Sequence, residues 1–189
     1  MALSPRVVLV SRETEYAALL AKHGTRGQAA FFLSTRGQKI EDLEVRDALQ
    51  SRALAAAKDA IPAEWSFVHV VRDDLNRFLF APEDIVVPIG QDGLVANLAK
   101  YLDGQPVIGV SPDLASSEGV LTRHGVDHLP ALLKGAANAD VDMQARAMVE
   151  ASAGEGLSLL ALNELFIGHR SHQSARYIVQ TNGAEEFQS

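Results

Sequence analysis

The apolar positions of this chain follow two regimes. Up to about residue 110, short continuous apolar runs alternate with longer stretches whose apolar residues recur every three or four positions. The runs are "RVVLV" at 6–10, "SFVHVVR" at 66–72, "DIVVPI" at 84–89 and "QPVIGV" at 105–110. A run apolar on both alternating faces reads as a strand covered on both sides. Between the runs lie helical patterns. Tyr16, Leu19, Leu20 and His23 share one face of a helix over roughly 12–23, with Ser11 placed to cap it and Gly24 to end it. The longest pattern, "EDLEVRDALQSRALAAAKDAI", stops at Pro62. "DDLNRFLF" reads as a short helical turn, and residues 93–102 put Leu94, Val95, Leu98 and Leu102 on one stripe. An apolar patch, "AAFFLS", lies between two copies of "TRGQ" at 25–28 and 35–38, a repeat too short to mark an architecture. Strands alternating with helices predict an α/β fold with an open, mainly parallel sheet.

The second regime is different. "SPDLASSEGVLTRHG" is loop-like and "DHLPALLKGA" a short helix, after which "DVDMQARAMVEA", "LSLLALNELFIG" and "ARYIVQT" are extended runs with no helices between them. The expected division is an α/β domain over 1–112 followed by the start of a β-rich, mostly antiparallel domain over 113–189. Asn182-Gly183 is a two-residue hairpin signal. Its return arm, "AEEFQS", is short. A hairpin there does not close a core, so the chain is expected to be a fragment of a longer protein.

Composition narrows the class without choosing a function. The chain is 47% hydrophobic with 22% charged residues, the balance of a soluble globular protein. No apolar run approaches the roughly 18–20 residues of a membrane-spanning helix. The N-terminal run is too short for a secretory signal. There are no cysteines, which excludes disulfides, thiolate zinc sites and cysteine nucleophiles. A cytoplasmic setting is the expectation. The net charge of −7 speaks against nonspecific nucleic-acid binding, which needs a basic face.

Two polar interruptions carry the candidate chemistry. Gly90-Gln91-Asp92-Gly93 follows an apolar strand and opens a helix. Ligands of open α/β sheets bind outside the carboxyl ends of strands, and glycines there let backbone amides approach a phosphate. A carboxylate in such a loop repels phosphate unless it holds magnesium or takes a proton from a hydroxyl. Asp92 is thus a candidate metal ligand or general base, with an Asp-Gly turn capping the helix as the plain structural alternative. Neither the P-loop nor the dinucleotide fingerprint is present. Asn163-Glu164 interrupts "LLALNELFI". Neighbouring strand residues point to opposite faces, so at least one of the two should face inward or line a cleft and need a partner, either a ligand hydroxyl or a backbone group at a bulge. His124 with His128, and His169 with His172, read as solvated loop residues.

The two motifs together, in this order and spacing, resemble the NAD kinase family over roughly residues 84–168. That family has a Gly-Gly-Asp-Gly-Thr loop after a strand and a later Asn-Glu. The resemblance implies transfer of a phosphoryl group from ATP or polyphosphate to the 2′-hydroxyl of NAD, with magnesium, in a cleft between an α/β and a β-rich domain. Asp92 would act on the accepting hydroxyl or the metal. Gly90, Gln91 and Gly93 would shape the phosphate loop, and Asn163 and Glu164 would hold NAD. Homo-oligomers are implied as well. Two positions depart from the pattern: Gln91 replaces a glycine and Leu94 the threonine. The family's later Gly- and Thr-rich segment has no counterpart before Ser189, so the 189-residue chain is expected to be inactive by itself. The alternatives are a kinase for a lipid or sugar hydroxyl and a non-catalytic nucleotide-binding module.

Overall fold

A computed structural model describes residues 4–115, 119–166, 168, 177–181 and 183–188. The chain divides into two compact units, Met1–Ala147 and Met148–Ser189. The segment 113–147, expected to open the second domain, therefore belongs with the first.

The first unit is α/β. Strand β1 (Arg6–Ser11) pairs in parallel with β2 (Ser66–Val71) on one side and with β3 (Ile85–Pro88) on the other. Val7, Val8, Leu9 and Val10 are all fully buried, as a central strand covered on both faces requires. On one face Val7, Leu9, Ile85, Val87 and Ile89 pack with Ala53, Ala57 and Ile61 and with Leu129 and Leu133. On the other, Val8, Val10, Val70 and Val86 pack with Leu75, Leu94 and Leu98. Ala53 and Ala57 come from α3 (Ile40–Asp59), with Ile61 just beyond it, and Leu129 and Leu133 from α5 (Leu129–Ala137). On the second face Leu94 and Leu98 come from α4 (Asp92–Ala99) and Leu75 from a 3₁₀ turn over Arg72–Arg77.

The run "QPVIGV" lies beside β3 but does not form a continuous ladder; it pairs through isolated parallel bridges, Val86 with Val107 and Ile89 with Val110. Proline is the reason. Val86 donates to the Pro106 carbonyl (2.9 Å) and Gly90 to that of Val110 (2.9 Å), while Pro88, between them, has no N–H to donate. The lateral order is thus β2, β1, β3 and then residues 107–110.

Helix α1 (Glu15–His23) starts later than its apolar pattern implies. Ser11 ends β1, and Thr14 is the cap, its Oγ1 accepting from the Ala17 N–H at 3.2 Å. The patch "AAFFLS" is helical, within α2 (Arg26–Ser34). The two "TRGQ" copies do different work: Thr25 caps the start of α2 and Thr35 lies at its end, so the repeat has no structural meaning.

The second unit holds two antiparallel pairs. Strand β4 (Val149–Ala153) pairs with β5 (Leu157–Ala161), and β6 (Tyr177–Thr181) with β7 (Ala184–Gln188). Thr181 opposite Ala184 fits the hairpin that Asn182-Gly183 predicts; Gly183 has φ +85°, and Asn182 lies outside the described residues. Among the described residues, no helix is long and apolar enough to cross a membrane.

Candidate functional site

Strands β1 and β3 are neighbours, yet the chain leaves them in opposite directions. After β1 it continues to α1, which packs on α3, and then to β2. After β3 it enters α4, on the other face, and reaches residues 107–110 on the other side. Such a reversal opens a crevice at the carboxyl ends of the two strands. A cavity of about 170 Å³ lies there. Arg12, Thr14, Glu15 and Tyr16 line it from the β1–α1 turn, and Leu43, Arg46, Leu49 and Gln50 from α3. Gly90 and Gln91 come from the end of β3, and Ser111, Pro112 and Asp113 from beyond the fourth extended segment. Gln50 braces the wall, its Nε2 donating to the Ile89 carbonyl at 2.8 Å.

Arg12, Glu15 and Arg46 are loosely held. Glu15 stands 3.8 Å from Arg12 and 3.8 Å from Arg46, too far for a hydrogen bond to either. Around it the contacts tighten. Thr14 donates through its hydroxyl to Asp47, and Tyr16 donates to Glu44 at 3.0 Å. That hydrogen bond raises the Tyr16 phenol above its ordinary value. Glu44 is held below the usual carboxylate value by its hydrogen bond from Arg26.

Asp92 does not take the capping role that the sequence left open to it. It is the first residue of α4, but the cap position is Gln91 and no side-chain cap bond forms there. The Asp92 carboxylate turns to residues 120–122. Its Oδ2 accepts from the Val120 N–H (2.8 Å), and its Oδ1 from the Leu121 N–H (3.0 Å), the Thr122 N–H (2.9 Å) and the Thr122 hydroxyl (2.9 Å). Burial pushes this carboxyl up, but the four donors together outweigh it and hold the pKa below its ordinary value. Two glycines make room for the fastening. A Cβ on Gly109 would collide with the Leu121 carbonyl oxygen, and one on Gly119 would come within 2.9 Å of Asp92 Oδ1. The capping alternative is therefore replaced by a tertiary clamp.

Of the residues singled out from sequence, Gly90 and Gln91 line the crevice, whereas Asp92 and Gly93 are absent from its lining. Gly93 lies in the first turn of α4, and a Cβ there would meet nothing within 4 Å, so the chain's own packing does not demand a glycine. Asn163 and Glu164 belong to the second unit. They are not within a strand: β5 ends at Ala161, and both residues are exposed in the bend and coil that follow. Neither faces inward, because the strand stops before reaching them. His124 and His128 are not on a shared α-helical face, since a 3₁₀ turn spans Val126–His128. Burial keeps the His124 imidazole below its ordinary value, with Arg123 and His128 adding to the effect. His169 and His172 lie outside the described residues. No group of three or more His, Asp or Glu is placed to hold a metal ion among the described residues.

Sequence reading missed Arg12, Glu15, Tyr16, Arg46 and Asp113. Arg12 had a usable signal, for it directly follows the run that becomes the central strand. Arg46 had none, since which face of α3 meets the crevice is a tertiary fact. A half-buried pair was missed too: Ser11 Oγ lies 2.9 Å from His69 Nε2, and partial burial, with Lys58 nearby, lowers the His69 pKa.

No protein-family model matches this chain, and no curated protein sequence matches it.

Proposed function

We propose that this chain carries the nucleotide-phosphate site of an NAD kinase-like phosphotransferase, moving a phosphoryl group from ATP, or polyphosphate, to the 2′-hydroxyl of NAD to give NADP. The observation that carries this reading is the crevice at the carboxyl ends of β1 and β3, whose lining Arg12 and Arg46 share with Gly90 and Gln91. The guanidinium groups suit phosphate oxygens. The turn leads directly into α4, whose first N–H groups favour an anion. Tyr16, Leu43 and Pro112 add an apolar wall for a ring or ribose. Magnesium carried on nucleotide phosphates needs only one or two protein carboxylates, and Asp113 in the lining is a fitting donor; the ion would offset phosphate charge. Asn163 and Glu164, exposed in the second unit, are the proposed NAD ligands, and self-association belongs to the same reading.

Asp92 separates two versions. As a general base it would use Oδ2, which takes one donor where Oδ1 takes three. The other version, a nucleotide-binding module without turnover, is favoured by the same four hydrogen bonds, which make Asp92 a fastener of residues 120–122. Calorimetric titration with ATP and NAD, combined with an assay for NADP, tests both. Magnesium-dependent NADP formation that Asp92→Asn abolishes while ATP binding persists supports the kinase. Nucleotide binding that survives Asp92→Asn, with no NADP formed by the complete protein at any time, supports the module. If ATP does not bind, or binds equally well to the Arg12→Gln/Arg46→Gln protein, the crevice is not a nucleotide site.

A further inference from the structure

Glu15 occupies a position that the proposed function does not use. It rises from the first turn of α1, where the helix dipole favours a carboxylate. One of its oxygens faces Arg12 and the other faces Arg46, each 3.8 Å from the guanidinium nitrogen. The three side chains are 60%, 45% and 71% exposed, respectively. Ion pairs this long and this wet are weak. A phosphate, with more charge and more acceptor oxygens, pairs with arginine at hydrogen-bond distance and often through two bonds.

We infer that Glu15 is an internal competitor for the phosphate end of the crevice, holding Arg12 and Arg46 until a polyphosphate chain displaces it. The inference rests on the crevice being a nucleotide-phosphate site. Its consequence is selection by charge. A singly charged ligand gains little by replacing a carboxylate that is already singly charged. A pyrophosphate- or triphosphate-bearing ligand replaces it with several charges and engages both arginines at once. The favoured ligand class is therefore a nucleoside di- or triphosphate or an inorganic polyphosphate chain.

Titration calorimetry with inorganic tripolyphosphate and with ATP, at fixed ionic strength, tests this. Glu15→Gln should tighten tripolyphosphate binding about 3–10-fold, the range expected when an exposed ion pair no longer competes. Glu64→Gln changes net charge equally at an exposed residue outside the lining, before β2 at the amino end of the sheet, and should leave affinity within about twofold because salt screens distant charges. In the Arg12→Gln/Arg46→Gln background the gain from Glu15→Gln should vanish. Unfolding midpoints confirm that each variant is folded. Binding of ATP by the unaltered protein with no change in Glu15→Gln would overturn the competition and leave the nucleotide site standing. An equal gain from Glu64→Gln would also overturn it. Failure of ATP and tripolyphosphate to bind any variant, Glu15→Gln included, would overturn both.

Discussion

Strand β1 begins with an arginine and is followed directly by another, and the two are held in opposite ways. At the amino end, Arg6 grips Asp84 through Nε (2.8 Å) and Nη2 (2.6 Å), and Asp84, with no exposure, also accepts from the Ala81 N–H at 2.7 Å. The Arg6 guanidinium lies 5.3 Å from the centre of the Phe78 ring. At the carboxyl end, Arg12 has Glu15 at 3.8 Å and remains 45% exposed. At the amino end the charge of Arg6 is satisfied within the fold, whereas at the carboxyl end that of Arg12 is held only by a long, exposed ion pair. A charge bound by short bonds around a buried partner supports the fold. A charge beside a loose, wet partner is available to a ligand.

Breaking the tight end should have the largest effect. Asp84→Asn leaves Arg6 without its carboxylate, and should lower the free energy of unfolding by about 2–4 kcal/mol, less than for a fully buried pair because Arg6 is partly exposed. Urea titration measures it, and a loss under about 1 kcal/mol would show that the amino end is no tighter than the other. Asp92→Asn tests whether the loop clamp belongs with the tight end. It removes the carboxylate charge and one acceptor, at a cost of about 1–2 kcal/mol. Faster amide exchange at residues 120–122 should accompany the loss, and unchanged exchange would mean that Asp92 does not fasten them.

Acid should distinguish these contributions by pH window. Burial lowers the His69 pKa from its ordinary 6.5, so on acidification the unfolded chain takes up that proton first. Its contribution is present above that value and is lost as pH falls through the depressed one. His124, also lowered, acts in the same direction. Asp92, held below the ordinary 3.8, contributes fully above that pH and loses its share only further into acid. Urea unfolding between pH 7.5 and 5 should show stability falling, with a shallower slope in His69→Gln; an unaltered slope would contradict the assignment. The smallest effect belongs to the loose end. Arg12→Gln/Arg46→Gln should change unfolding free energy by no more than about 0.5 kcal/mol, while ATP affinity falls. A larger loss of stability would make these arginines structural and remove the contrast with Arg6.

The first 110 residues were legible because their apolar runs are continuous and their helices long. The runs that become β1, β2 and β3, the end of the long helix shortly before Pro62 and the α/β class all follow from patterning. Where reading failed, a local signal competed with a distant one. Ser11 resembled a helix cap, yet its hydroxyl lies beside His69, 58 positions away. "QPVIGV" resembled a full strand, but Pro88 on the neighbouring strand interrupts its pairing. Asn163 and Glu164 looked like strand interior because the apolar run continues past them, whereas the pairing of β5 with β4 ends at Ala161.

The candidate site divides along the same line. Order along the chain was enough to put Gly90 and Gln91 after a strand and before a helix, the place where α/β folds bind ligands. It was not enough to decide where the Asp92 carboxylate points, because its partners are Val120, Leu121 and Thr122, 28 to 30 positions away. Nor could it bring Arg46 to Arg12 and Glu15. Apolar periodicity is set by neighbours along the chain, so the sequence by itself determined the layered sheet and the position of its candidate phosphate loop. The partner of each charge is set by which elements meet across the sheet's edge, and only the tertiary structure decided that.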